Sequence, residues 1–168
     1  MNPKFRSTFI SLSFSIFLIL AFTVSAPSEE YKSAEGVKSV KAIFDFRDSN
    51  PASALVHIKL VHDTYKDKVL NNMGEKPEFV VVFMGGSVTI LTKNREGLSK
   101  EEKAQLDEMD TVIAAMAKDG IRLEVCMFAT NFFGIPPDSI AKEIHRVDNG
   151  WIASIGYQSK GYTLVPVF

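Results

Sequence analysis

The stretch Glu78-Phe79-Val80-Val81-Val82-Phe83-Met84, followed by Gly85-Gly86-Ser87, decides the fold. After Glu78 every residue up to the glycines is apolar, with no alternation. A strand with one wet face alternates apolar and polar residues, so an unbroken run of this length reads as a strand covered on both faces. Such strands belong to parallel sheets sandwiched between helices. Upstream, Lys38 to Phe46 is rich in Val, Ile and Phe and reads as another strand. Asp48-Ser49-Asn50-Pro51 then predicts a helix start, with capping side chains ahead of a proline in the first turn. Ala54, Ile58, Val61, Tyr65 and Val69 follow at helical spacing on one face, and Asn71 to Gly74 ends the run. Downstream, Val88 to Leu91 is too short to assign. Ser99 and Glu102 form a capping box; Leu106, Met109, Ile113 and Met116 line the next helix, and Gly120 stops it.

Ile121 to Cys126 reads as a further strand. Phe128 to Phe133 reads as a short helix or turn closed by Gly134. Pro136 opens a helical piece running to Glu143, Ile144 to Val147 reads as a short strand, and Gly150 to Ser159 as a helix. Gly161 leads into a final strand, Tyr162 to Val165. Repeated strand–helix alternation predicts an open α/β sheet with helices on both faces, whose sites lie at the carboxyl ends of the strands.

The whole chain has 168 residues, 46% hydrophobic and 23% charged, with a net charge of −1. That suits one domain with a substantial core and excludes disorder, collagen and a disulfide scaffold. The charge balance argues against a nucleic-acid partner. One cysteine and three histidines leave no material for a multi-cysteine metal cluster.

Residues 1–26 read as an export signal. Lys4 and Arg6 precede an apolar run from Phe9 to Val24, and Val24-Ser25-Ala26 supplies small residues for cleavage. Pro27 fits poorly just after the cut, and the run is long enough to remain as a marginal membrane anchor, so a tether is the alternative. Residues 27–36 are polar and read as a linker, which places the folded domain at 37–168.

Cys126 is the principal candidate for chemistry. It ends a strand and precedes a helical turn, where backbone N–H groups carry partial positive charge and stabilise a thiolate, the nucleophilic form. The competing reading is a buried core cysteine. Gly85, Gly86 and Ser87 would let backbone approach a ligand, although they match no phosphate-loop or nucleophile-elbow pattern. His57 and His62 lie roughly 140° apart around their helix and cannot share an ion. His145 is a weak candidate for a sheet-edge site. Asp45 and Asp48 flank a strand end, where Asp48 is best explained as part of the helix cap. Phe128, Phe132, Phe133 and Trp151 are too many for a short helix to bury and suit a pocket wall, a subunit interface or core packing.

With these residues in view, the chain resembles the DsrE/DsrF-like family of small sulfur-relay proteins, from about Val37 to Val165. The segment carrying most of the likeness is Gly120-Ile121-Arg122-Leu123-Glu124-Val125-Cys126, with Gly134-Ile135 after it. The Asp48-to-Pro51 helix start, the strand ending in Gly85-Gly86 and the stretch from Gly150 to Tyr162 add to it. The resemblance implies a three-layer α/β/α sandwich around a mainly parallel five-stranded sheet, and a homo-oligomer, a trimer or hexamer. It implies that Cys126 carries sulfur as a persulfide between donor and acceptor proteins, with no cofactor, and that the loop residues Gly85, Gly86, Ser87, Met127 and Phe128 lie at the site. With the export signal it implies a periplasmic protein, or one anchored to the inner membrane. Met84 stands where many relatives have histidine, and Met127-Phe128-Ala129 where many have glycine and polar residues. Both changes make the surroundings of the cysteine more apolar. A ligand-binding module without chemistry and a purely structural subunit are the competing functions.

Overall fold

The computed structural model describes residues 31–168; the predicted signal or anchor at 1–26 lies outside them. Five strands form one sheet: β1 (Lys41–Phe46), β2 (Glu78–Phe83), β3 (Arg122–Cys126), β4 (His145–Val147) and β5 (Thr163–Val167), in the order β4-β3-β2-β1-β5. Every adjacent pair is parallel, so all the strands end at one rim. The helices are α1 (Pro51–Lys66), α2 (Lys68–Asn71), α3 (Lys100–Asp119), α4 (Met127–Phe132) and α5 (Gly150–Ser159). The α/β sandwich expected from the sequence is therefore present, with a sheet that is wholly parallel.

The local signals act as their chemistry dictates. The Asn50 side chain accepts from the N–H groups of Ala52 and Ser53, ahead of Pro51. Ser99 and Glu102 satisfy each other's backbone N–H groups at the start of α3. Gly120 ends α3 at φ +95, a left-handed conformation that costs glycine little. Strand β2 is buried from Phe79 to Phe83.

Four boundaries differ from the sequence reading, the simplest being β1, which starts at Lys41 rather than Lys38. The first long helix breaks at Asp67, whose extended backbone and carboxylate cap α2 through Val69 N–H at 2.7 Å. The helical piece at Pro136 is only a 3-10 turn, Pro137–Ser139, because Ile140 leaves it to form an antiparallel bridge with Thr92. The last strand runs through Pro166 to Val167; it is an edge strand, where a missing N–H can face outward.

Register assigns the faces. Phe46, Phe83 and Val125 lie side by side, as do Phe44, Val81 and Leu123, and these share the face that α1 and α3 cover. Tyr65 of α1 packs edge-on against Phe79, which also meets Phe44. His62 of α1 lies 2.7 Å from Asp119 at the end of α3 and joins the two helices. On the opposite face Asp45, Val82 and Glu124 lie in one row, under α5. At the rim where the strands begin, Glu78 binds Lys41 at 2.7 Å and Tyr162 at 2.6 Å. The other rim is where the chemistry collects.

Candidate functional site

Cys126 is the last residue of β3 and is only 6% exposed. Its Sγ accepts a hydrogen bond from Gly150 N–H at 3.2 Å. A helix-start N–H thus reaches the sulfur, but from a different helix than the sequence suggested. The following helix α4 turns its early N–H away, since Phe128 N–H donates to Asp148 O at 3.1 Å. The N–H that reaches sulfur opens α5, which starts on Asn149, whose side chain caps Trp151 N–H at 2.9 Å.

Glycine at position 150 makes this approach feasible. A Cβ there would stand 3.1 Å from Cys126 Cβ, 3.3 Å from Met84 Cε and 3.4 Å from Val82 Cγ1. Even alanine would force one of these neighbours to yield.

Above Cys126 opens a pocket of about 410 Å3. Phe128, Phe132, Phe133 and Trp151 wall it, with Met84, Gly85, Ala129, Asn149 and Arg47 completing the lining. The aromatics grouped in the sequence therefore do converge on the cysteine. They are not core: Phe128 is 70% exposed, Phe132 76% and Trp151 65%. A larger groove of about 920 Å3 runs along α1 and β5. Cys126 is not among the residues that line it, so its size does not make it the better candidate.

The loop residues separate. Gly85 and Phe128 line the pocket. Gly86 instead packs against Ser49, where a Cβ would come within 3.1 Å of Ser49 Cβ. Ser87 is fully buried, and its hydroxyl donates to Phe46 O at 2.8 Å and Met84 O at 3.0 Å; it holds the 3-10 turn Gly85–Ile90 against the end of β1. Met127 is half-buried and packs against the core.

The two aspartates do not form a carboxylate pair. Asp48 accepts from Asn50 N–H at 2.9 Å and approaches His57 Nδ1 at 2.8 Å. Burial pushes its carboxyl up, but the neighbouring Ser53 side chain, the Asn50 N–H and the His57 ring outweigh this and hold it below the usual range. Asp45 takes Arg47 Nε on both carboxylate oxygens, at 2.9 and 3.0 Å. His145 is exposed on β4. Among the described residues no cluster of His, Cys, Asp and Glu could hold a metal ion.

Beneath α5 lies a polar layer that the sequence did not reveal. Glu124 is 3% exposed and accepts from Tyr157 Oη at 2.8 Å and Arg122 Nε at 3.0 Å. Its other oxygen has no partner among the described residues. Burial first, and then the Glu124 carboxylate, push the Tyr157 phenol up to about 12. Arg47 and Gly150 also escaped the sequence reading. For Arg47 the available signal was its place one residue beyond β1, at the rim where open α/β sheets keep their sites. For Gly150 it was the Asn149-Gly150 helix start.

A parallel five-stranded α/β sandwich with a lone cysteine at the carboxyl rim defines the class of the molecule. The DsrE/DsrF-like family profile matches residues 21–167, and the chain belongs to that family. Its fold is similar to that of a protein of unknown function, MTH1491, from Methanobacterium thermoautotrophicum. The TM-score is 0.59 at 16% identity, covering 76% of this chain and 98% of the other. It is also similar to the ychN protein from E. coli, with a TM-score of 0.50 at 12% identity, covering 77% and 99%. At such identities the likeness concerns the fold. No curated protein matches the chain.

Proposed function

We propose that this protein is a sulfur carrier that accepts sulfane sulfur on Cys126, holds it as a persulfide and passes it to an acceptor thiol. The observation that carries the reading is the Gly150 N–H on Cys126 Sγ at the floor of an aromatic-walled pocket. An N–H donor and the positive end of α5 stabilise negative charge on that sulfur. The thiol proton leaves to solvent. The thiolate lone pair then forms a bond to the donor's outer sulfur, and the donor's old S–S bond breaks with its electrons on the leaving group. In the second half, an acceptor thiolate attacks the outer sulfur and Cys126 leaves as thiolate. The exchange balances without an external oxidant or cofactor.

The proposed assembly is a homo-oligomer, a trimer or hexamer, supported by the exposure of the large apolar side chains Phe132, Trp151, Ile152 and Ile155. Donor and acceptor proteins are the proposed partners, and nucleic acid is not. The proposed location is the periplasm, or the inner membrane if residues 1–26 stay attached. Among the described residues no helix is long and apolar enough to cross a membrane.

The test is the intact mass of the purified protein after brief exposure to a polysulfide, beside Cys126→Ser. One added sulfur atom in the wild type alone is expected. The low exposure of Cys126 favours a second reading, a ligand-binding or structural subunit. Absence of sulfur uptake together with slow alkylation of the thiol would establish that reading instead. Phe132→Asp should lower the mass seen by light scattering, since a charge on a buried contact is costly; an unchanged mass counts against the oligomer surface.

A further inference from the structure

We propose that Arg47 makes the Cys126 pocket selective for small anionic sulfane-sulfur donors, of which thiosulfate is the simplest. The proposal rests on the sulfur-carrier reading and names the class of donor for the same site.

Arg47 is the only charged residue among the described residues that line the pocket. Its guanidinium is fixed at one edge, where Nε donates to both oxygens of the buried Asp45 carboxylate. The other edge is underused. Nη2 meets only the Met84 thioether sulfur, at 3.4 Å, a weak acceptor. Nη1 has no acceptor among the described residues. The carboxylate thus holds the group in place without consuming its remaining donors.

The surroundings favour an anion. Phe128, Phe132 and Trp151 give the pocket an apolar wall, and a charge-assisted hydrogen bond is stronger beside such a wall than in open water. No carboxylate is among the lining residues; Asp45, paired with Arg47, offsets part of its charge but leaves Nη1 and Nη2 to meet a ligand. Gly150 N–H, at the positive end of α5, adds a contribution of the same sign. A volume of about 410 Å3 suits a small molecule better than a protein segment.

With thiosulfate the step balances. The sulfonate oxygens engage the guanidinium, as planar guanidinium donors do with oxyanions. The Cys126 thiolate attacks the terminal sulfur, the S–S bond of thiosulfate breaks, and its electron pair departs with sulfite. Three negative charges enter and three leave, as a persulfide and a sulfite dianion.

The experiment compares two reagents at equal ionic strength by mass spectrometry on the wild type, Arg47→Gln and Arg47→Lys: thiosulfate, which adds one sulfur and releases sulfite, and the uncharged dimethyl trisulfide, which leaves a methyl di- or trisulfide on Cys126 and releases the matching thiolate. Alkylation of Cys126 by iodoacetate and by iodoacetamide gives a second anionic-to-neutral ratio that requires no sulfur transfer. Both ratios should fall about tenfold in Arg47→Gln, the size of one charge-assisted hydrogen bond, and fall less in Arg47→Lys. Unchanged ratios in a folded Arg47→Gln protein overturn the proposal. If Arg47→Gln does not fold because Asp45 is left unpaired, Asp45→Asn combined with Arg47→Gln removes both charges and is read by the same ratios. If neither donor loads the wild type, the sulfur-carrier reading fails; the alkylation ratio then decides by itself whether Arg47 selects anions.

Discussion

Under α1 and α3 the sheet presents Phe44, Phe46, Phe79, Val81, Phe83, Leu123 and Val125, while under α5 it presents Asp45, Val82, Glu124 and Cys126. The first interface is an apolar core closed by aromatic pairs such as Phe46 with Phe83, 5.1 Å between centroids. The second is held by placed polar contacts, and α5 sits on it through Gly150, Ser154 and Tyr157. Its apolar residues Trp151, Ile152 and Ile155 point outward. A buried apolar face secures the fold with little demand on exact partners. A polar face requires each group to be matched, and it is the face that holds the thiol. One sheet thus separates the part that stabilises from the part that positions.

The largest effect belongs to the apolar face. Phe83→Ala should cost about 3–5 kcal/mol in urea unfolding, as removal of a fully buried aromatic does. A cost below about 1 kcal/mol, the size of a single net hydrogen bond, would break the contrast between the faces. Gly150→Val tests the other side and should cost about 1–3 kcal/mol by overpacking. It should also change the alkylation rate of Cys126, because the intruding methyls push against Cys126 Cβ and the donor N–H. If both stability and rate are unchanged, α5 is not pressed against the sheet as described.

The smallest effect lies in the alkaline range. Tyr157 holds its proton up to about 12 in the folded state, against the ordinary 10. Below pH 10 its contribution to stability is complete. Between about 10 and 12 the unfolded chain ionises first and the contribution declines; above 12 it is gone. Phenolate absorbance should show Tyr157 resisting until near pH 12 together with Tyr162, which is likewise pushed up to about 12 by burial and then by Glu78, and Tyr157→Phe should halve that late step. A Tyr157 that ionises near 10 would mean that the polar layer admits water.

Much of this was legible in sequence because it depends on neighbours along the chain. The Asn50-Pro51 start, the Ser99–Glu102 box, the Gly120 stop and the double-sided burial of β2 are all local. What was not legible depends on which strands lie side by side. Cys126 and Gly150 are separated by 24 residues, and nothing local tells that α5 rather than α4 delivers its N–H to the sulfur. Arg47 follows β1, two strands away from Cys126 in the sheet, so its place in the pocket needs the strand order. The periodicity of Trp151, Ile152 and Ile155 announces a helix but not that its apolar side faces outward. That reversal is set by the acids on the sheet beneath it.

Gly150 also has a consequence for observation. The residue after it, Trp151, is the only tryptophan in the chain, and it forms part of the wall of the cysteine pocket. Indole emission responds to whatever enters beside it, so the molecule carries its own optical reporter. Occupancy of the pocket can be followed by fluorescence in real time, on unlabelled protein, without a second tryptophan to confuse the signal.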